Sequence, residues 1–233
     1  MGFPYCIMSA IKDGRVPLTI TDGRTAITLD QERYILFSLN VIVKVEQKFG
    51  SFESLDDHIR TGPNRIKNLL WLLTELINEG AAGEDQKLTE REVGKILHPG
   101  LLADAQTAVF QSFAVNKDEG EVRNLLFDLN VISDMQDKGW DIEALDDVFT
   151  GAEKMANLRW LLTKLINEGA GDNEPELTEE QVGKMIHGGA LAKAQEALAM
   201  AFRMGNNAAG QVEDDGMEPE GAKRKNAEAG GVK

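Results

Sequence analysis

The segment LLWLLTELINEG at residues 69–80 returns as LRWLLTKLINEG at 158–169. The recurrence extends well beyond this segment. FSLNVI (37–42) matches FDLNVI (127–132), and SFESLDD (51–57) matches DIEALDD (141–147), both at an offset of 90. WLLTELINEG (71–80) matches WLLTKLINEG (160–169) at an offset of 89. LTEREVGKILHPGLLADAQTAVFQSF (88–113) matches LTEEQVGKMIHGGALAKAQEALAMAF (177–202) at the same offset of 89. One residue is lost between Asp147 and Gly151, where DDHIRTG has become DDVFTG. Four blocks in one order, with one gap, read as an internal duplication. That narrows the fold, because a repeated unit must bury its apolar face and the neighbouring copy is at hand. A packing unit or a binding surface is the natural thing to write twice.

Each copy reads as three or four helices. Tyr34 to Phe49 is apolar nearly all round, with Phe37, Val41 and Val45, and predicts a helix buried on most sides. Leu69, Leu72, Leu73, Leu76 and Ile77 recur at helical spacing, as do Leu158, Leu161, Leu162, Leu165 and Ile166. That stripe predicts a core-facing helix in each copy. Asn78–Glu79–Gly80 and Asn167–Glu168–Gly169 end these helices, with the glycines expected in the left-handed position past the last turn. Thr89 with Glu92, and Thr178 with Gln181, fit the capping box, with Leu88 and Leu177 placed to staple onto Val93 and Val182. Gly100 and Gly189 should break the segment before a second short helix that runs to Phe113 or Phe202.

The chain before the first copy differs. Apolar runs at about Tyr5–Ile11, Val16–Thr21 and Thr25–Leu29 are separated by Asp13–Gly14 and Asp22–Gly23, a hairpin signal. The second copy has no such element and is joined through NKDEGE (116–121), read as a polar linker. From about Gly205 there is no aromatic residue and little aliphatic content, which predicts disorder to residue 233. The expected class is mainly α. Its parts are a small N-terminal β-hairpin or three-stranded element (1–30), two tandem homologous helical repeats (31–115 and 116–204), and a disordered C-terminal tail (205–233).

A formal net charge of −14 on 233 residues argues against nucleic acid and against anionic membranes as partners, since both require clustered Lys and Arg. The acids are interspersed with basic residues, which disfavours DNA mimicry. No apolar run reaches the roughly 18 residues of a membrane span, and the N-terminus lacks the pattern of a secretion signal. MGFPYC carries Gly2 but has Cys, not Ser or Thr, at position 6. Cys6 is the only cysteine, so no disulfide forms within the chain. The cytoplasm is the expected location.

No residue pattern argues for an enzyme. His98 and His187 correspond through the offset, but neither has a second ligand at metal spacing. They read as residues at helix C-termini, favoured there by the dipole. His58 stands alone. Asp56–Asp57 and Asp146–Asp147 are paired acids, but DDHIRTGPNRIK lacks the alternating oxygens of a calcium loop. There is no nucleophile elbow, phosphate loop or dinucleotide fingerprint. Neither a cofactor nor a metal is expected. Asn40 and Asn130 interrupt the most apolar helix in both copies and read as groups that fix packing by hydrogen bonding. Trp71 and Trp160 flank the stripe and are candidates for the seam between repeats or for a partner-binding patch.

LTITDGRTAITL, followed by FSLNVIVKVEQKFGSFESL, an amphipathic helix and LTEREVGKIL, resembles the tail assembly chaperones of long-tailed bacteriophages and prophages. In that family a short hairpin precedes a helix of the form Phe-x-x-Asn-Ala-Leu-x-x-Leu-Glu-Glu-x-x-Gly. Phe37, Asn40, Glu46 and Gly50 fill those places here, and Phe127 and Asn130 do so in the second copy. The likeness covers about residues 17–113, and 121–202 through the duplication. It departs in carrying the unit twice, in lacking the second hairpin, in having Gln136 where the first copy has Glu46, and in its long tail. The resemblance implies a non-enzymatic role in virion assembly in the bacterial host cytoplasm. The implied partners are the tape measure protein and the tail tube protein, with self-association as a further mode. Outside the resemblance, the residues also suit an acidic helical adaptor for another helical protein.

Overall fold

The structure, a computed structural model, describes residues 14–81, 87–97, 99–114, 120–141, 148–171 and 173–210. The expected strand at Tyr5–Ile11, Cys6, His98, Asp146–Asp147 and the chain from 211 onward lie outside the described residues.

Most of the described chain is helical. The order is β1 (Val16–Ile20), β2 (Thr25–Thr28), β3 (Glu32–Ile35), α1 (Leu39–Phe49), α2 (Leu55–Arg60), α3 (Arg65–Gly80), α4 (Glu90–Ile96), a 3-10 turn (Pro99–Leu101) and α5 (Leu102–Ala114). Then follow β4 (Glu121–Leu125), α6 (Leu129–Asp137), α7 (Lys154–Glu168), α8 (Glu179–Met185) and α9 (Gly188–Gly210). We call β2 to α5 the first half and β4 to α9 the second.

The α3 and α7 stripes face inward as their spacing predicts. Leu69, Leu72, Leu73, Leu76, Leu161, Leu162 and Leu165 are all fully buried. Both capping boxes form: the Glu92 backbone N–H donates to Thr89 Oγ1 while Thr89 N–H donates to the Glu92 carboxylate, and Thr178 and Gln181 do the same. In each half one Asn clamps the chain that enters the next helix. Asn78 bonds both N–H and C=O of Leu88 at 2.7 and 2.8 Å, and Asn167 bonds those of Leu177, each at 2.9 Å.

The strands depart from expectation. Asp22–Gly23 makes no hairpin turn. β1 pairs antiparallel with β4, Val16 opposite Leu125, while β2 pairs with β3 around Leu29–Asp30–Gln31, where Asp30 holds Arg33 at 2.8 Å. A two-residue type I′ turn needs positive φ at its central residues, and Gly23 has none. Gly23 is glycine because a Cβ there would run into the His187 imidazole. The segment read as a polar linker therefore leads directly into a strand, β4, whose partner comes from the far N-terminal end of the described chain. Tyr34 and Ile35, read as the start of a helix, belong to β3, and α1 begins only after the Ser38 cap.

Gly80 and Gly169 are not left-handed caps either. Each lets a strand cross the helix end. A Cβ at Gly80 would strike the Tyr34 carbonyl, and one at Gly169 the Asn124 carbonyl. The strands settle there through Leu36 N–H to the Leu76 carbonyl at 3.1 Å and Leu126 N–H to that of Leu165 at 3.0 Å. Left-handed glycines do follow two other helices, Gly50 at φ 82° after α1 and Gly139 at φ 80° after α6. At the other end, α9 continues to Gly210, so the first residues assigned to the tail are helical.

Candidate functional site

The two halves meet along α1, which packs on α7 and α8. Ser38 caps α1 and Gly50 ends it, so a Val- and Ile-rich segment of modest helix propensity is held helical by burial on most sides. Two of the motif residues, Asn40 and Glu46, face the junction, while the Phe37 ring packs on Phe52 and Phe113 of its own half.

Asn40, 5 % exposed, satisfies its whole amide there. Its Nδ2 donates to Glu79 Oε1 at 2.9 Å and to the Glu180 carbonyl at 2.8 Å, and its Oδ1 accepts from Arg159 at 3.1 Å. Arg159 also reaches Glu179 at 3.3 Å. Gly183 of α8 leaves the room that Asn40 occupies, since a Cβ there would run into its side chain. Glu46, 1 % exposed, lies across the N-terminus of α7, where its Oε2 accepts the Met155 backbone N–H at 3.0 Å. Its Oε1 has no hydrogen-bond partner among the described residues. Burial pushes the Glu46 carboxyl above the usual range, partly offset by the Met155 N–H and the Lys154 charge. Beside it Lys154 bonds Glu53 at 2.6 Å, which holds the Glu53 carboxyl below its usual range.

The backbone continues the junction. Leu39 N–H donates to the Ile186 carbonyl at 2.6 Å, and Gly188 N–H to that of Phe37 at 2.9 Å. His187, 1 % exposed, contacts Thr21 Oγ1 through Nε2 at 2.7 Å. It follows the C-cap of α8, at a helix end as its sequence position suggested, and is an interior group linking the N-terminal segment to α9.

The tryptophans make their ring contacts within their own halves. Trp71 meets Phe49 edge-on at 5.6 Å under Lys48 Nζ at 4.4 Å. Trp160 meets Trp140 at 4.7 Å under Lys138 Nζ at 4.5 Å. Both are half-buried. Of the seam residues, Asn40 was legible as a packing group and Glu46 only through the resemblance, while Arg159 and Gly183 carried no local signal.

An apolar groove of about 440 Å³ lies between α7 and α9, lined by Phe149, Met155, Leu158, Leu198 and Phe202 among others, with Lys154 and Gln195 at its edge. It suits aliphatic or aromatic side chains and offers no nucleophile or paired acid. The other sequence candidates are structural. His58 stacks on Phe49 at 4.5 Å, and Asp56 pairs with Arg60 at 2.6 Å one turn on. Among the described residues no cluster of three His, Cys, Asp or Glu could hold a metal. No helix of the described residues is long and apolar enough to cross a membrane.

Comparison with family models, curated proteins and solved structures returns no match. The functional reading therefore rests on this chain's own residues.

Proposed function

We propose that the protein is a duplicated helical unit that acts as a tail assembly chaperone. In this reading it binds the tape measure protein and helps recruit tail tube subunits in the bacterial cytoplasm. The observation that carries the reading is the antiparallel β2–β3 hairpin leading into α1 with Phe37, Asn40, Glu46 and Gly50 in the family's places. Gly50 terminates α1, and Asn40 and Glu46 tie it to the second half. The groove between α7 and α9 supports the reading as well, since it could seat the apolar face of an amphipathic helix. So does the acidic surface, which keeps a holder of apolar segments soluble. Trp71 and Trp160, half-buried with lysines above them, are proposed as further contact points away from that groove.

The test is co-expression with the product of the longest coiled-coil-rich reading frame beside the gene. The chaperone reading expects that product to become soluble and to co-purify. If it stays insoluble and a different helical protein co-purifies, the acidic adaptor reading takes its place.

A further inference from the structure

One contact between the halves is heterologous: α1 of the first half sits on α7 and α8 of the second, beside a second contact between α5 and α9. Through the offsets of 89 and 90, each side of that contact has a counterpart elsewhere in the chain, and both counterparts are uncovered. The α1 side corresponds to α6. Leu39 is fully buried, whereas its counterpart Leu129 is 78 % exposed. Asn40 and Glu46 are buried, whereas Asn130 and Gln136 are exposed. The α7–α8 side corresponds to α3 and α4. Met155 is buried, whereas its counterpart Ile66 is 50 % exposed. Ile66 and Leu70 line a shallow depression of about 700 Å³.

We infer that a second copy of this chain docks here, its α6 seated on α3 and α4, repeating between molecules the contact made within one. Gly94 is the independent sign. Its counterpart Gly183 must be glycine to admit Asn40, but Gly94 is exposed and a Cβ there would meet nothing closer than Leu70 at 3.4 Å. Glycine inside an exposed helix weakens it relative to alanine, and nothing within one molecule requires it. Asn130 of an incoming copy would fill that space. Its amide nitrogen donates to Glu168 at 3.3 Å, as that of Asn40 does to Glu79, and to Asp128 at 3.3 Å, the bond the docked copy would exchange. The Arg91 carbonyl takes the place of the Glu180 carbonyl as the acceptor. Where the internal contact has Arg159 and Glu46, the open faces carry Leu70 and Gln136, and the place of the buried Ser38 is taken by Asp128. Such a contact adds copies head to tail, giving a filament or ring and not a two-fold dimer.

The full chain is followed by sedimentation velocity and light scattering at rising concentration, without any partner protein. The expected result is a mass that grows past the dimer. Leu129→Asp and Gly94→Ala, each checked for native circular dichroism, should both raise the concentration needed for association at least tenfold. Each variant spoils one face and keeps the other, so an equimolar mixture should stop at a one-to-one pair. A wild-type chain that stays at monomer mass up to roughly 1 mM, the weak end of specific affinity, overturns the inference. So does association that survives both substitutions, or a mixture of folded variants that forms no pair. Partner capture is not read in this experiment, so the chaperone reading stands or falls separately.

Discussion

α1 and α6 begin with nearly the same letters, SLNVI and DLNVI, and live in different surroundings. α1 runs through the middle of the molecule, with Leu39, Val41, Ile42 and Val45 all fully buried. α6 lies at an end, where Val131 and Met135 are buried and Leu129 stands in solvent. The divergent positions follow that difference. Val43 has become Ser133 where solvent replaces the core, and Glu46, which caps α7, has become the exposed Gln136. Conversely, Leu70 has become Arg159 where Asn40 and Glu179 are present to receive it. The environment of each copy explains these changes.

Substitutions at corresponding positions test this. Leu72→Asp and Leu161→Asp should each unfold the chain, because both stripes are core and an unpaired buried charge costs more than about 4 kcal/mol. Loss of helical circular dichroism would register it; a folded variant of either would mean that its stripe is a groove. Leu39→Ala should cost about 2–5 kcal/mol in urea unfolding, while Leu129→Ala stays within about 0.5 kcal/mol. Equal costs would erase the contrast between the halves. Gly183→Ala should destabilise by about 1–3 kcal/mol through overpacking against Asn40. Gly94→Ala should instead raise the melting temperature, by about 0.5–1 kcal/mol of helix propensity.

Glu46→Gln is the mildest. Because burial raises its folded pKa, Glu46 takes up a proton on folding in the window between its unfolded and folded values. Its cost is therefore fully present above that window and vanishes below it. The variant keeps an oxygen for the Met155 N–H and should be more stable by about 1 kcal/mol at pH 7. The gain should fade as pH falls through the raised folded value and be gone once pH is below the ordinary glutamate value of about 4. A gain that does not vary with pH would mean the carboxyl is not the cause.

Much of the helical part was legible because its signals are local. A stripe at 3.6-residue spacing, a Thr-x-x-Glu box and a Ser or Gly at a helix end act within a turn or two of the chain, and tertiary packing here reinforces them. The asparagines were legible as packing groups, though not that Asn40 spans the halves while Asn130 faces solvent. The glycines were misread in kind. Asp22–Gly23, Gly80 and Gly169 match turn and cap patterns, yet each is small because another segment passes over it, which no neighbouring residue encodes.

The sequence by itself determined that this is a mostly helical protein written twice, with its leucine stripes inward and the starts of α4 and α8 fixed by capping boxes. Each of those follows from interactions within a few residues. Only the tertiary structure decided that β1 crosses to the second half to pair with β4, that Glu46 and His187 are interior, and that α1 is covered while α6 is not. A strand can pair with any free edge, and the choice falls to the pairing that buries Val16, Leu18 and Ile20 in the common core. That choice depends on a partner more than a hundred residues away, beyond the reach of any local pattern.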